Sequence, residues 1–264
     1  LEVIATCRAG PVNVDVTAAT ARGIPVLTTP ARNAESVADF AVGVMLSLCR
    51  NIHRAERHLR QNDWMVDGDE LPYFHFRGPE LSRKTLGLIG CGAIGRAFAR
   101  RVQGFDMRVL VYDPYIDQAS LGDLGELTSL DTVLSQADVL SLHVPVTPET
   151  KGLLNAGRLA IMKPTAYLIN TARASIVDEG AIAEAKKTKN IRFLNDVYPK
   201  DAEGEKSVAA ISDLMLPHLG ASTKESNFNA AKRAAEEFID LDEKGVTSYI
   251  VNRAIPDGLD EAYC

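Results

Sequence analysis

No apolar run in this sequence is long enough to cross a bilayer as a helix. No charged, then apolar, leader opens it, and no membrane partner is expected. The chain begins on Leu1, without a methionine, inside what reads as a strand at Val3 and Ile4, so its true N-terminus is expected to lie upstream. Cysteine is scarce: Cys7, Cys49, Cys91 and Cys264 stand far apart, with neither zinc spacing nor a small-domain disulfide pattern. A reducing, cytoplasmic compartment and no metal site are the expectation. Positive charge is not in excess, 29 Lys and Arg against 35 Asp and Glu, and the net charge of −6 argues against a non-specific nucleic-acid binder. Internal repeats and low-complexity segments are missing too.

What is present suits a globular chain. Its 264 residues, 46% hydrophobic and 24% charged, suffice for one large or two ordinary domains. Residues 85–113, TLGLIGCGAIGRAFARRVQGFDMRVLVYD, organise it. An apolar run of strand length (85–89) leads into Gly90, Gly92 and Gly95, a G-x-G-x-x-G. A helix-forming stretch (93–102) follows, then a second apolar run (108–112) closed by Asp113. That succession is the context a dinucleotide fingerprint requires. Gly90 permits the tight turn, Gly92 admits a pyrophosphate close to the backbone, and Gly95 lets the helix pack near the sheet. The helix start, at Ala93 and Ile94, offers N–H groups and partial positive charge to phosphates. Asp113 can accept hydrogen bonds from both ribose hydroxyls and repels a 2′-phosphate, while Pro114 and Tyr115 supply no cation for one. NAD is therefore expected over NADP. The competing interpretation is a glycine-rich turn that binds nothing.

In chain order, residues 1–31 read as short strands and turns. A long amphipathic helix is expected over 33–60, with Asn33 as N-cap and Val37, Phe40, Ala41, Val44, Met45, Leu48 and Ile52 at helical spacing. A helix this long predicts packing against another domain or subunit. His53 and His58 read as solvated face residues, and the aromatics of 64–80 as folded beneath their loop. After Asp113, strands at 138–144, 166–170, 191–194 and 214–216 alternate with a helix at 130–135 capped by Ser129, one at 155–162, and one through 186 capped by Asp178. A parallel doubly wound sheet follows from that alternation. Ser222 and Glu225 read as a capping box for a last helix.

Ligands of such sheets bind beyond the carboxyl ends of the strands. There lie the glycine turn, Asp113, His143 to Thr147, Thr171-Ala172-Arg173, Asp196 to Asp201, and His218. Hydride transfer to a 2-oxo acid needs a cation for the carboxylate and the developing oxyanion. It also needs a proton donor with a pKa near neutrality, and an acid to fix that donor's tautomer. Arg173 and His218 suit the first two roles. Asp201 is the choice for the third, with Asp196, Glu203 and Glu205 as rivals. Arg8, Ala9 and Gly10, at the end of the first strand, can present main-chain N–H groups and a guanidinium to an anion, or form an ordinary surface turn.

These stretches resemble the D-isomer-specific 2-hydroxyacid dehydrogenases, particularly their 3-phosphoglycerate dehydrogenase-like members. The resemblance runs through CRAGPVNVDV, RGIPVLTTPARNAESVADFAVGVML, KTLGLIGCGAIGRAFA, VYDPY, SLHVPVTPETKGLL, MKPTAYLINTARASIVDE, NDVYP and PHLGASTKE, in family order from residue 6 to about 225. It implies a Rossmann-type NAD-binding domain at 33–220. It also implies a smaller flavodoxin-like substrate domain built from 1–32 and 221–264 and lacking its N-terminal part, and a homodimer formed through the helix 33–60. By the same resemblance Arg173 is the catalytic arginine, His218 the acid/base, and Asp196 the acid at the nicotinamide amide. Arg8, Ala9 and Gly10 would grip the substrate carboxylate. His143, Pro145, Thr150, Thr171, Ala172 and Gly220 would join His218 around the cofactor. Asp201 stands where the family has glutamate, so its backbone must come about 1.5 Å closer to reach the histidine. Ala174 replaces a glycine after the arginine, disfavouring positive φ there.

The expected function is hydride transfer between NAD(H) and a D-2-hydroxy or 2-oxo acid, leaning towards 3-phosphoglycerate, with Arg8 and an arginine from elsewhere binding the phosphate. Glyoxylate and hydroxypyruvate are the other small acids considered. The alternative is an NAD(H)-sensing binding protein, like the family's corepressor relatives, with little or no turnover.

Overall fold

The computed structural model describes residues 1–62, 64–66, 71–197, 207–245 and 249–252. Asp201, Glu203 and Glu205 lie outside them, as does Cys264. The chain opens with β1 (Ile4–Ala5), α1 (Val16–Ala21) and β2 (Val26–Leu27), then α2 (Ala34–Cys49), α3 (Ile52–Gln61) and α4 (Pro72–His75). Next come β3 (Thr85–Ile89), α5 (Ala93–Val102), β4 (Arg108–Tyr112), α6 (Gln118–Leu121), β5 (Glu126–Leu127), α7 (Leu130–Gln136) and β6 (Val139–Leu142). The series ends with α8 (Ala156–Ile161), β7 (Tyr167–Asn170), α9 (Glu179–Thr188), β8 (Arg192–Asn195), β9 (Leu214–Met215) and α10 (Lys224–Lys244).

Seven strands form one parallel sheet in the order β5-β4-β3-β6-β7-β8-β9. The doubly wound expectation holds, and the order reverses between β3 and β6. Alternate residues of each strand feed opposite layers, as a strand's two-residue period requires. Leu86, Leu88, Val109 and Val111 meet Ala38, Ala41, Met45 and Leu48 of α2 and Phe98 of α5. Leu110, Leu140, Leu168 and Phe193 meet Val133 and Leu134 of α7, Leu159 of α8 and Ile182 of α9. Each fully buried leucine contributes roughly 2 kcal/mol by leaving water.

A smaller unit lies beside this sheet. β1 and β2 pair in parallel, and α1 covers them through Val16 and Ala19. The far end of the chain returns here: Ile250 bridges Leu27 in antiparallel fashion, and Asn252 Oδ1 accepts the Val26 N–H at 3.0 Å. The turn expected in 1–31 is instead partly α1, capped by Asp15, whose Oδ1 accepts the Ala18 N–H at 2.9 Å.

The helix expected over 33–60 is two helices. Asn51 takes φ 55°, which asparagine tolerates better than most residues, and its amide donates to the Phe76 and Arg77 carbonyls. α2 buries one face against the sheet layer, whereas α3 buries no residue. His53 is not merely solvated: its Nε2 lies 3.0 Å from the Asp213 carbonyl and its Nδ1 3.1 Å from that of Ser47. Nor do the aromatics of 64–80 all fold under their loop, since Trp64, Tyr73 and Phe74 are exposed. α10 is capped one residue later than expected, by Thr223, whose Oγ1 accepts the Ser226 N–H and also meets Ser36 Oγ at 2.7 Å. The short edge strand β5 was not foreseen.

Candidate functional site

Most of the described residues at the site follow a strand's carboxyl end. After β3, the Gly90 N–H donates to the Tyr112 carbonyl at 2.9 Å and Gly90 takes φ 89°. A Cβ there would sit 2.6 Å from the His143 carbonyl oxygen, so β6 and the turn approach too closely for a side chain. Gly95 has the same constraint against the Gly90 carbonyl oxygen, at 2.5 Å. Asp113, after β4, accepts the Cys91 N–H on Oδ2 at 2.8 Å and the Tyr115 N–H on Oδ1 at 3.0 Å. It therefore shapes the glycine turn and keeps lone pairs for further donors.

After β7, the buried Asn170 shapes the next turn. Its Oδ1 accepts the Ala172 N–H at 3.1 Å, and its Nδ2 donates to the Arg173 carbonyl at 3.0 Å. The turn presents Arg173 with its side chain exposed. Ala174 forms it without positive φ, so the glycine usual at that position is not needed for this geometry.

After β8, Asp196 is fully buried. Its carboxylate accepts the Leu219 and Gly220 N–H groups at 2.8 and 3.0 Å. Burial raises its pKa, and these donors together with His218 pull the other way. The loop so gripped carries His218 at φ 61°, a left-handed conformation costing a histidine about 1 kcal/mol.

Two adjoining clefts collect these pieces. One, of about 210 Å³, is lined by Ile94, His143, Pro145, Thr171, Ala172 and Gly220 together with Arg173 and His218. The other, of about 230 Å³, is lined by Arg8, Ala9, Gly10 and Arg32 together with Arg173 and His218. Ala9, Asn33 and Ala221 border both. Arg173 and His218, far apart in sequence, thus stand at the junction. Gly90, Gly92, Ala93, Gly95, Asp113, Asp196 and Thr150 are not among the lining residues. Thr150 instead ties its own loop, donating from Oγ1 to the Pro145 carbonyl at 2.6 Å and accepting the Thr147 N–H at 2.7 Å. Asp201 lies outside the described residues. Sequence reasoning missed Arg32 as a cleft residue and read Asn33 only as an N-cap. Asn33 makes no side-chain capping bond. No local signal marks either: each becomes a cleft residue only when the fold brings residues 8, 173 and 218 beside it.

His143 lines the first cleft with its ring edge-on to Phe98, 5.5 Å between centroids. Ser141 Oγ lies 3.0 Å from its Nε2. Burial pushes its pKa down to about 4, so the ring is neutral at physiological pH.

The family model for the NAD binding domain of the D-isomer specific 2-hydroxyacid dehydrogenases matches residues 42–220. A D-3-phosphoglycerate dehydrogenase of Synechocystis sp. is 38% identical over 244 residues, covering 91% of this chain and 43% of the relative. A glyoxylate reductase of Thermofilum pendens is 38% identical over 260 residues, covering 97% and 76%. Among solved structures, D-lactate dehydrogenase of Aquifex aeolicus, complexed with NAD and lactic acid, superposes with TM-score 0.80 at 29% identity, covering 97% of this chain and 81% of that one. The apo D-lactate dehydrogenase of Escherichia coli gives TM-score 0.77 at 35% identity, covering 94% and 77%. The chain spans less than half the length of the Synechocystis relative.

The residues present fit a dinucleotide. A Cβ on Gly92 would meet no protein atom within 4 Å, which leaves the turn open for a group laid against it. Thr171 Oγ1 is buried in the cleft wall without a hydrogen-bond partner. A buried polar atom without a partner costs roughly 1–3 kcal/mol, which a polar ligand group offsets.

Proposed function

The chain belongs to the D-isomer-specific 2-hydroxyacid dehydrogenase family, and on that premise we propose that it transfers hydride between NAD(H) and a small D-2-hydroxy or 2-oxo acid, with 3-phosphoglycerate as the leading substrate. The observation that carries this is the meeting of Arg173 and His218 at the junction of the two clefts.

Bound NADH supplies the hydride. The chain's own residues do the rest. Gly90, Gly92 and Gly95 with the start of α5 hold the pyrophosphate, and Asp113 holds the adenosine ribose. Arg173 places its guanidinium against the substrate carboxylate and the oxo oxygen, where negative charge grows. His218 gives that oxygen a proton in reduction and takes one in oxidation. Asp196 fixes the main chain on which His218 rides. Asp201 remains the acid proposed to hold the imidazole's tautomer. The backbone of Ala9 and Gly10 and the Arg8 guanidinium take the carboxylate from the other side.

The domain reading also stands as proposal: 33–220 binds NAD, and 1–32 with 221–264 forms part of the substrate domain. The return of residues 249–252 to β2 supports it. A homodimer is proposed through the segment 33–60, now α2 and α3; α3 buries no residue within the chain, and Trp64, Tyr73 and Phe74 are exposed.

The test is NADH oxidation followed by absorbance, with phosphohydroxypyruvate, hydroxypyruvate, glyoxylate and pyruvate offered separately. Turnover on one of them, abolished in Arg173→Ala with NADH binding intact, is the expected result. NADH binding without turnover on any would favour the sensor reading instead.

A further inference from the structure

Three arginines, Arg8, Arg32 and Arg173, line the one cleft of about 230 Å³ beside His218. Among the described residues, no acidic side chain lines it. Among the described residues none of the three arginines forms an ion pair with a carboxylate. Like charges gathered in one cleft repel one another, and an anion that enters relieves that repulsion. A monoanionic 2-oxo acid does not balance it. Its one carboxylate is already served by Arg173 and by the segment Arg8 to Gly10, whose main chain is fixed by the Thr29 N–H donating to the Arg8 carbonyl at 2.8 Å.

Arg32 is the surplus cation, and its placement is specific. It follows Ala31, which takes φ 60°, a left-handed conformation unusual for alanine. Such strain is retained where surrounding structure holds it, often at binding sites. The Arg32 Nη1 donates to the Ser226 carbonyl at 3.3 Å, which tethers the side chain to the first turn of α10. That bond uses one of five N–H donors and leaves the rest for a ligand. Asn33, next in sequence, borders the same cleft with an amide that makes no capping bond.

The structure assigns Arg32 as the residue that selects substrates carrying a second anionic group, a phosphate monoester or a second carboxylate, at the end remote from the reacting carbon. This deepens the dehydrogenase reading and rests on it for the position of the reacting carbon. A guanidinium suits either oxyanion through paired N–H donors.

The test measures binding and turnover separately on the native protein, Arg32→Ala and Arg32→Lys. Calorimetric Kd values are taken with NAD present for 3-phosphoglycerate, D-malate and D-glycerate. Turnover with NADH is taken for phosphohydroxypyruvate and hydroxypyruvate, which differ only in the phosphate. The native protein should bind one of the two dianionic acids at least about 30-fold more tightly than glycerate, whichever of phosphate or carboxylate it reads. Arg32→Ala should remove most of that preference while glycerate and NADH binding stay within about threefold, and Arg32→Lys should restore part of it. In turnover the loss should fall on KM rather than kcat. Equal losses for the three acids, an unchanged preference, or no native preference for either dianion would overturn the assignment. Dianion selection through Arg32 without turnover on any acid would instead retire the dehydrogenase reading and keep Arg32 as an anion-selecting residue.

Discussion

The carboxylate of Asp196 grips the main chain of Gly220: Oδ2 accepts the Gly220 N–H at 3.0 Å, and Oδ1 accepts that of Leu219 at 2.8 Å. The two bonds fix the loop in which His218 holds φ 61°. Asp196 is therefore a positioning residue in this geometry. Asp196→Asn keeps one acceptor oxygen and turns an amide NH2 towards the other N–H. The expected result is a kcat lower by roughly 10- to 100-fold, the size of loss that a misplaced acid/base produces, with the protein still folded. A Cβ on Gly220 would meet Asp196 Oδ2 at 3.4 Å, an ordinary contact, so Gly220→Ala should keep the loop folded. Its methyl stands in the wall of the first cleft, so the loss should fall on NADH binding rather than on kcat. Kinetics beside thermal unfolding of both variants checks this, and an unaltered kcat in Asp196→Asn would remove the positioning role.

Two glycines of the turn, Gly92 and Gly95, should fail in different ways. A Cβ on Gly92 meets no protein atom within 4 Å, whereas one on Gly95 lies 2.5 Å from the Gly90 carbonyl oxygen. Gly92→Ala should therefore unfold at the native temperature but bind NADH at least about tenfold more weakly, because the methyl occupies the approach of the pyrophosphate. Gly95→Ala should lose about 1–3 kcal/mol of stability, as overpacking against backbone does. NADH fluorescence titration and thermal melts separate the two. Native NADH affinity in Gly92→Ala would show that the phosphates pass elsewhere.

Asp113 has one task in the structure and a second under the proposed function, and its substitution should separate them. Its Oδ2 holds the Cys91 N–H at 2.8 Å, within the glycine turn, and the proposal sets its charge against a 2′-phosphate. Asp113→Ala should weaken NADH binding and also narrow the NADH-to-NADPH preference, since the repulsion disappears with the carboxylate. Asp113→Asn should narrow the preference with a smaller loss of NADH affinity, because an amide oxygen still accepts one bond. Kd values for both cofactors decide it; an unchanged ratio in both variants would disprove the ribose role.

His143 should make the fold acid-sensitive. Burial pushes its pKa down to about 4 from the ordinary 6.5. The unfolded chain then binds a proton that the folded chain refuses, so the histidine's contribution is complete above pH 6.5 and is lost as pH falls towards 4. The full linkage is at most about 3 kcal/mol, less here because the ring borders an open cleft. Replacing it by the uncharged, hydrogen-bonding asparagine should flatten the stability profile between pH 6.5 and 4. Denaturant titrations across that range measure the slope, and parallel profiles for the two proteins would exclude His143 as its source.

The sheet and its ligand end were legible because their signals are local. Residues 85–113 contain strand, turn, helix, strand and acid without interruption, and the structure places β3, α5 and β4 on those residues. Ser129 and Asp178 cap helices as their chemistry demands. What was not legible depends on distant partners. The break at Asn51 follows from carbonyls at residues 76 and 77. The cap at Thr223 rather than Ser222 is shared with Ser36 on another helix. Arg32 could not be recognised as a cleft residue before residues 8, 173 and 218 were brought beside it. The two-residue β5 has too few positions to show a period.

Asp213 should be the residue whose loss costs most outside the clefts. It precedes β9 and joins three elements. Oδ2 accepts Lys186 Nζ of α9 at 2.6 Å and the Phe193 N–H of β8 at 2.8 Å, and Oδ1 accepts Arg192 Nη1 at 2.7 Å. Its carbonyl meets His53 of α3 at 3.0 Å. Burial pushes its pKa up, but the two cations and the N–H outweigh that and hold it below the usual carboxylate range. Its stabilisation is therefore present above the unfolded pKa and is lost as pH falls through the lower folded one, in the region below about pH 4. Asp213→Ala leaves two cations and a buried N–H without their acceptor. The expected cost is about 3 kcal/mol, at the lower end for a broken buried pair because Lys186 and Arg192 remain partly solvated. Asp213→Asn should cost less, since its amide oxygen still serves one donor. If Asp213→Ala instead melts within a degree or two of the native protein, the cluster is a solvated surface pairing rather than a tie between β8 and α9.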